Sequence, residues 1–258
     1  MILVFILMFF YFVFGSSWVR NYGELFISIT GRYYTADKYY DKNGNKKPIG
    51  CTFKKREIEL YGEYGLTPKT TITFKIPYQE LECGSSKTTG VADLEIGFIR
   101  NLIHARANVF SLYGLMLIPS GYSIRDDLRL GYGRLGVEGG MLYGRGFSKG
   151  FIDSGIGYRY YFGYPSSQIR AYLAGGYDFS KSLQLMVYLD AQIGLGDGRK
   201  KRIGKNITLE PDYKLIQFYV GPRFIFGNIS LNLGFQRVIY GRNTGDGTGY
   251  YIGLWKTF

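Results

Sequence analysis

Histidine, cysteine and proline are scarce in this 258-residue chain, which holds one His, two Cys and seven Pro. A lone histidine, His104, argues against hydrolase chemistry, because a nucleophilic Ser or Cys generally needs an imidazole to carry its proton. No Gly-x-Ser-x-Gly elbow accompanies it. One His and two distant Cys do not build a metal centre. The chain therefore reads as a non-enzyme without a cofactor, with His104 a solvated turn residue. Long apolar runs are missing too. Beyond the first residues, no segment approaches the roughly twenty apolar residues of a helical membrane span. Acid is in deficit: 20 Asp and Glu stand against 32 Lys and Arg, a formal charge of +12. Such an excess suits a phosphate-rich partner. No nucleic-acid-binding motif is present to hold it, so a membrane surface is expected and nucleic acid is not.

What the chain does have is glycine and aromatic residues: 37 Gly, 25 Tyr and 19 Phe. Gly disfavours helices and aromatic rings favour pleated surfaces, so the mix predicts strands and tight turns. The opening Met1–Phe14 is apolar throughout and is followed by Gly15, Ser16 and Ser17. That length is too short for a bilayer span and matches a secretory leader with small residues at its cleavage site. Residues 1–17 are expected to be removed before Trp18, although no basic residue precedes the apolar run. Residues 18–258 then form one domain.

Leu183, Leu185, Val187, Leu189, Ala191, Ile193 and Leu195 alternate with Gln184, Met186, Tyr188, Asp190, Gln192 and Gly194. This is strand periodicity, with one apolar face sustained for about 40 Å at ~3.3 Å per residue. Similar segments lie near 22–35, 53–65, 69–79, 90–102, 106–118, 134–145, 151–162, 168–178, 182–196, 213–226, 229–240 and 249–258. The segment 106–118 is apolar on both faces, which leaves its register open. Long connections at 36–52, 80–89, 119–133, 197–212 and 241–248, with 163–167 a shorter member, alternate with short turns. Twelve antiparallel strands with this asymmetry match an all-β transmembrane up-and-down barrel of the outer-membrane type, both termini periplasmic. Only a closed sheet pairs every backbone group in hydrocarbon, so the apolar face is expected to meet lipid. Tyr33, Tyr64, Tyr78, Tyr143, Tyr158, Tyr160, Tyr177 and Tyr250 share that face near strand ends, where amphipathic rings suit the membrane interface.

The last strand, Tyr250-Tyr-Ile-Gly-Leu-Trp-Lys-Thr-Phe258, resembles the signal read by the machinery that inserts bacterial outer-membrane barrels, with Lys256 departing from the usual apolar residue. Gly90-Val-Ala-Asp-Leu-Glu-Ile-Gly97, Leu115-Met-Leu-Ile-Pro-Ser-Gly121 and Gly150-Phe-Ile-Asp-Ser-Gly-Ile-Gly-Tyr-Arg-Tyr160 are similar to the outer-membrane family named for the meta-pathway of phenol degradation. The resemblance covers residues 52–258 and implies a barrel with a channel or transport role, the barrel-assembly machinery as a partner through Phe258, and no particular substrate.

With the apolar parity outward, a set of charges turns inward. The acids are Glu57, Glu59, Glu63, Asp93, Glu95, Glu138, Asp153, Asp178 and Asp190; the bases are Arg32, Lys75, Arg134, Arg159, Arg170 and Arg223. Facing lipid at the midplane would cost about 2–4 kcal/mol for each basic group, so the lumen is their place. They could fill it as ion pairs, for example Asp153 or Asp93 with Arg159 or Arg170, or line a water-filled path whose field selects permeants. Cys51 and Cys83 fall in or beside the first two long loops, and an oxidising compartment favours a disulfide between them. Arg199, Lys200, Lys201, Arg202 and Lys205 sit in a long loop, where they could bridge lipopolysaccharide phosphates or steer anions to the mouth. Pro77 and Pro222 each remove a ladder donor and predict a bulge or strand end. The reading is a monomeric channel passing small, aromatic or weakly polar molecules. Its rival is a closed structural or surface-interaction barrel acting through its basic loops. A lumen blocked by ion pairs or by an inward-folded loop would favour the rival.

Overall fold

The computed structural model describes residues 16–124, 126–198, 201–203, 207–209 and 212–258, with side chains excluded for 201–203 and 207–209. The strands are β1 (Leu25–Tyr40), β2 (Lys46–Thr67), β3 (Thr70–Cys83), β4 (Ser86–Val91), β5 (Leu94–Ala105), β6 (Asn108–Ile118), β7 (Gly136–Phe147) and β8 (Gly150–Tyr161). They continue as β9 (Gln168–Ser180), β10 (Leu183–Gly194), β11 (Lys201–Ile203), β12 (Ile207–Leu209), β13 (Lys214–Phe226), β14 (Ile229–Arg242) and β15 (Thr244–Thr257). β11 and β12 pair only with each other. β4 and β5 are two halves of one barrel strand, both hydrogen-bonded to β3 and parted at Ala92–Asp93. β1 pairs with both β2 and β15, so the antiparallel sheet closes as twelve strands without a free edge. Closure satisfies the backbone within the sheet, as hydrocarbon demands.

The alternation read from the sequence sets the two faces. In β10, Gln184, Tyr188, Asp190 and Gln192 are buried in the lumen while Val187 is exposed on the outer wall. All eight predicted interface tyrosines are exposed on that wall. β6, apolar on both faces, turns Val109, Ser111, Tyr113 and Leu117 inward and Leu112 and Met116 outward. Neighbour pairing decides this: Leu115 and Leu117 sit opposite Glu138 and Gly136, and Glu95 opposite Leu117.

Several predicted loops are strand instead. β1 and β2 run on through most of 36–52 and turn only at 41–45, where Asp41 Oδ1 accepts the Asn43 and Asn45 N–H groups at 2.8 and 2.9 Å. The expected loops 80–89 and 241–248 shrink to turns at 84–85 and at Asn243, which adopts φ 50°. These extensions rise beyond the lipid, so the apolar-out rule that identifies a spanning strand ceases to apply to them. The boundary is visible on the outer wall. Ile58 lies opposite Tyr78, but one step higher on that face Arg56 lies opposite Glu80 and Lys54 opposite Glu82. Arg56 contacts Glu80, and Lys54 and Lys87 bind Glu82 and Glu80 at 3.2 and 2.7 Å.

Cys51 and Cys83 are disulfide-bonded, with a Cα separation of 5.6 Å. They occupy the raised ends of β2 and β3, not loops. Pro77 sits mid-strand, and the irregularity is in its partner: the β4–β5 break lies beside it, and Ala92 N donates to the Pro77 carbonyl at 2.9 Å. At Pro222 the ladder to β14 lapses at Gly221–Pro222 while pairing with β10 continues. His104 is an exposed residue near the end of β5, just before the turn at 106–107.

Segments outside the sheet also enter the barrel, and they carry no strand pattern in sequence. From the turn end, Ser17 N donates to Asp153 Oδ2 at 3.0 Å, and Ser111 Oγ donates to Ser17 O at 2.7 Å. Arg20 N donates to Thr71 Oγ1 at 2.7 Å, while Arg20 Nε binds Glu63 Oε2 at 2.5 Å. From the loop end, the connection 119–135 inserts Leu128, Leu130 and Tyr132 among Tyr34, Leu81, Leu117 and Tyr161.

Candidate functional site: the barrel lumen

The lumen is stacked in three layers, each set by which inward residues the strand register brings level. Nearest the long loops is the apolar plug just described. Its anchor is Asp93, freed from regular pairing by the β4–β5 break. Tyr122 O–H donates to Asp93 Oδ1, and Gly133 N donates to Tyr122 Oη at 2.6 Å. A Cβ at Gly131 would come within 1.9 Å of Tyr122 Oη and 2.5 Å of Asp93 Oδ1, so only glycine lets the loop approach this closely.

Beneath the plug lies a girdle of buried charge. Arg32 spans Glu57 and Glu59 at 2.8 and 3.1 Å, and Lys55 takes the second Glu57 oxygen at 2.8 Å. Lys75 pairs with Glu95 at 2.8 Å. Arg159 binds Glu138 through Nε and approaches Glu95 at 3.8 Å. Arg170 reaches Asp190 at 3.5 Å, and Gln192 and Gln217 each donate to Asp190 Oδ2 at 3.0 Å. The side chains of Arg159, Glu138, Arg170 and Asp190 are all 0 % exposed. Alternating signs around the ring explain how so many ions tolerate burial: each desolvated charge meets its complement.

The expected inward charges gather here with corrections. Arg159 and Arg170 pair with Glu138, Glu95 and Asp190, not with Asp153 or Asp93. Asp153 instead takes Ser17 N–H on one oxygen and Tyr172 O–H on the other at 2.9 Å, and Asp93 holds the loop. Arg134 does not face the lumen: β7 begins only at Gly136, which leaves Arg134 exposed in the preceding connection. Asp178 is half-buried at the turn end and accepts from Gln184 Nε2 at 2.6 Å. Arg223 also sits at the turn end, away from the girdle.

The third layer is a cavity of about 450 Å³ between the girdle and the turn end. Trp18, Phe26, Tyr61, Phe151, Tyr172, Tyr188, Tyr251 and Trp255 contribute aromatic rings to its wall. Their rings interlock edge-on, Phe26 with Trp255 at 5.9 Å and Trp18 with Phe151 at 6.0 Å. Arg223 lies 4.8 Å above the Trp255 ring. Sequence reasoning listed the charges but missed this aromatic chamber. The inward parity of Tyr172, Tyr188, Tyr251 and Trp255 was the available signal, and the rings contributed by Trp18 depend on the entering N-terminal segment.

Among the described residues no group of three His, Cys, Asp or Glu side chains is placed to hold a metal ion. The expected lipopolysaccharide contacts Arg199, Lys200, Lys201, Arg202 and Lys205 lie outside the described residues as far as their side chains are concerned.

No family model matches the chain, and no curated protein matches it by sequence. Solved structures do match in fold. The COG4313 outer membrane channel from Pseudomonas putida F1 superposes with a TM-score of 0.79 at 17 % identity, covering 93 % of this chain and 97 % of that one. The NanC porin gives 0.53 at 10 % identity over 88 % of this chain and 98 % of that one. The KdgM porin in complex with disordered oligogalacturonate gives 0.52 at 11 % identity, with coverages of 90 % and 99 %. The shared architecture is the outer-membrane β-barrel.

Proposed function

We propose that this outer-membrane barrel is a channel for the passive passage of small, weakly polar molecules, aromatic ones included. The observation that carries the reading is the ring-walled cavity of about 450 Å³, which is large enough for a monocyclic compound and offers edges and faces for it to pack against. Support also comes from the barrel it shares with channels and porins, and from the motif resemblance to the phenol-degradation family. The three resembling stretches include Asp93, the entry to the inserted loop, and both Asp153 and Arg159 of β8. A permeant arriving from the loop end meets the apolar plug first, then the charged girdle. Passage therefore requires loop 119–135 to withdraw, and the Tyr122–Asp93 bond is the contact to release.

One observation favours the second reading, a closed barrel acting at the cell surface: the plug and the girdle together fill the loop half of the lumen. The two readings separate in vesicles. With wild-type protein the channel reading expects swelling with benzyl alcohol or phenol as osmolyte, and Tyr122→Phe should raise both the rate and the bilayer conductance severalfold. Folded protein that stays silent in both forms would establish the closed barrel. In either case we propose that the basic loops meet lipopolysaccharide phosphates, that Phe258 is the handle for the assembly machinery, that the barrel is a monomer, and that residues 1–17 are a removable leader whose cleavage releases Asp153 and Ser111 from Ser17.

A further inference from the structure

Most charges of the lumen are neutralised by direct ion pairs, whereas Arg223 meets Asp178 only at longer range, across Gln184. Its Nε donates to Ser230 Oγ at 3.0 Å and its Nη1 to Gln184 Oε1 at 3.4 Å. Both acceptors are neutral, and among the described residues no carboxylate forms an ion pair with it. A guanidinium has five N–H donors, so three remain for whatever occupies the cavity that Arg223 lines. Directly across the ladder from Arg223, on β14, is Asn232. Asn232 is 4 % exposed and lines the same cavity, yet its amide nitrogen is buried with no hydrogen-bond partner. An orphaned buried amide costs about 1–3 kcal/mol, which makes a missing partner the economical explanation.

These donors converge from adjacent strands, with cross-strand Cβ atoms about 5 Å apart. The Trp255 ring lies under the guanidinium at 4.8 Å, and Phe26 meets that ring edge-on. Of the acids of the same cavity, Glu63 is engaged by Arg20, Glu59 by Arg32 through one oxygen, and Asp153 by Tyr172. We propose that Arg223, Asn232 and Trp255 form a binding site for an aromatic monocarboxylate. The carboxylate accepts from the guanidinium and the amide, and the ring packs in the aromatic chamber. The inference rests on the channel reading only in supplying that ligand with a route; the site itself stands on the orphaned Asn232 amide and the half-buried Arg223 guanidinium.

Both tryptophans of the chain, Trp18 and Trp255, line this cavity, so their fluorescence reports its occupancy. Full-length protein in lipid vesicles, excited at the red edge of tryptophan absorption, would be titrated with sodium benzoate, benzyl alcohol and sodium acetate. Benzoate is expected to saturate the signal at a concentration at least tenfold below either control. Arg223→Gln should weaken benzoate at least tenfold and leave benzyl alcohol unchanged, with folding verified by the heat-dependent gel mobility of closed barrels. Asn232→Leu should weaken benzoate severalfold. Equal affinity for benzoate and benzyl alcohol, or benzoate binding indifferent to Arg223→Gln, would overturn the site while leaving aromatic passage standing. Benzoate binding without flux of any aromatic compound would overturn the channel and leave the site standing. If Arg223→Gln fails to fold, Arg223→Lys decides, since it keeps the charge but loses the planar fork and should weaken benzoate several-fold.

Discussion

Arg159→Met tests whether the girdle is a dry packed layer or the wall of a hydrated path. Arg159 and Glu138 are both wholly buried as side chains, and Arg159 also faces Glu95. Removing the arginine leaves Glu138 with the Tyr113 hydroxyl at 2.7 Å and the more distant Arg170 cation but no direct ion pair, while Glu95 keeps Lys75 at 2.8 Å. Breaking one partner from a buried ion pair costs about 3–5 kcal/mol, mostly because the remaining charge is uncompensated. Solvated pairs are worth about 1 kcal/mol or less. The two cases are far enough apart for equilibrium urea unfolding in lipid vesicles, followed by tryptophan fluorescence and gel mobility. A dry girdle predicts a loss of at least 3 kcal/mol for Arg159→Met. It also predicts recovery of at least half of that loss in Glu138→Gln/Arg159→Met, where no charge is stranded and Gln still accepts from Tyr113. A loss under about 1 kcal/mol, with no recovery in the double variant, would refute the dry layer and place water among these ions.

Replacing both cysteines with serine opens a cross-link between residues 32 apart in sequence and should lower stability by about 3–4 kcal/mol by the chain-entropy estimate, read in the same urea assay under non-reducing conditions. Ile156, exposed on the outer wall at the middle of β8, should cost about 2–4 kcal/mol as Ile156→Arg in a bilayer; a neutral result would mean that this face is not embedded in hydrocarbon.

Much of the architecture was legible in the chain because the membrane imposes a period of two. Leu183 to Leu195 could alternate so regularly only if one face met acyl chains and the other did not, and the inward set from Arg32 to Asp190 followed from that parity. Legibility ended where the constraint ended. Beyond the lipid, β1, β2 and β3 run on through Lys, Thr and Asp residues that look like loop, because neither face there must be apolar. Arg134 was misplaced for the same reason: its expected strand began two residues too early, and only the observed start at Gly136 exposed it.

The sequence alone determined the closed sheet, its approximate strand number, the face turned to lipid and the residue types available to the lumen. Tertiary structure alone decided how those residues use the space. Which acid neutralises Arg159, why Arg223 forms no ion pair among the described residues, and why Gly131 must be glycine all depend on contacts between segments far apart in the chain. They depend also on segments such as Trp18–Arg20 and 119–135, which fold into the barrel without any periodic signal. Local periodicity encodes a side chain's choice between oil and lumen; its partner is set by register around a closed ring, which no local pattern carries.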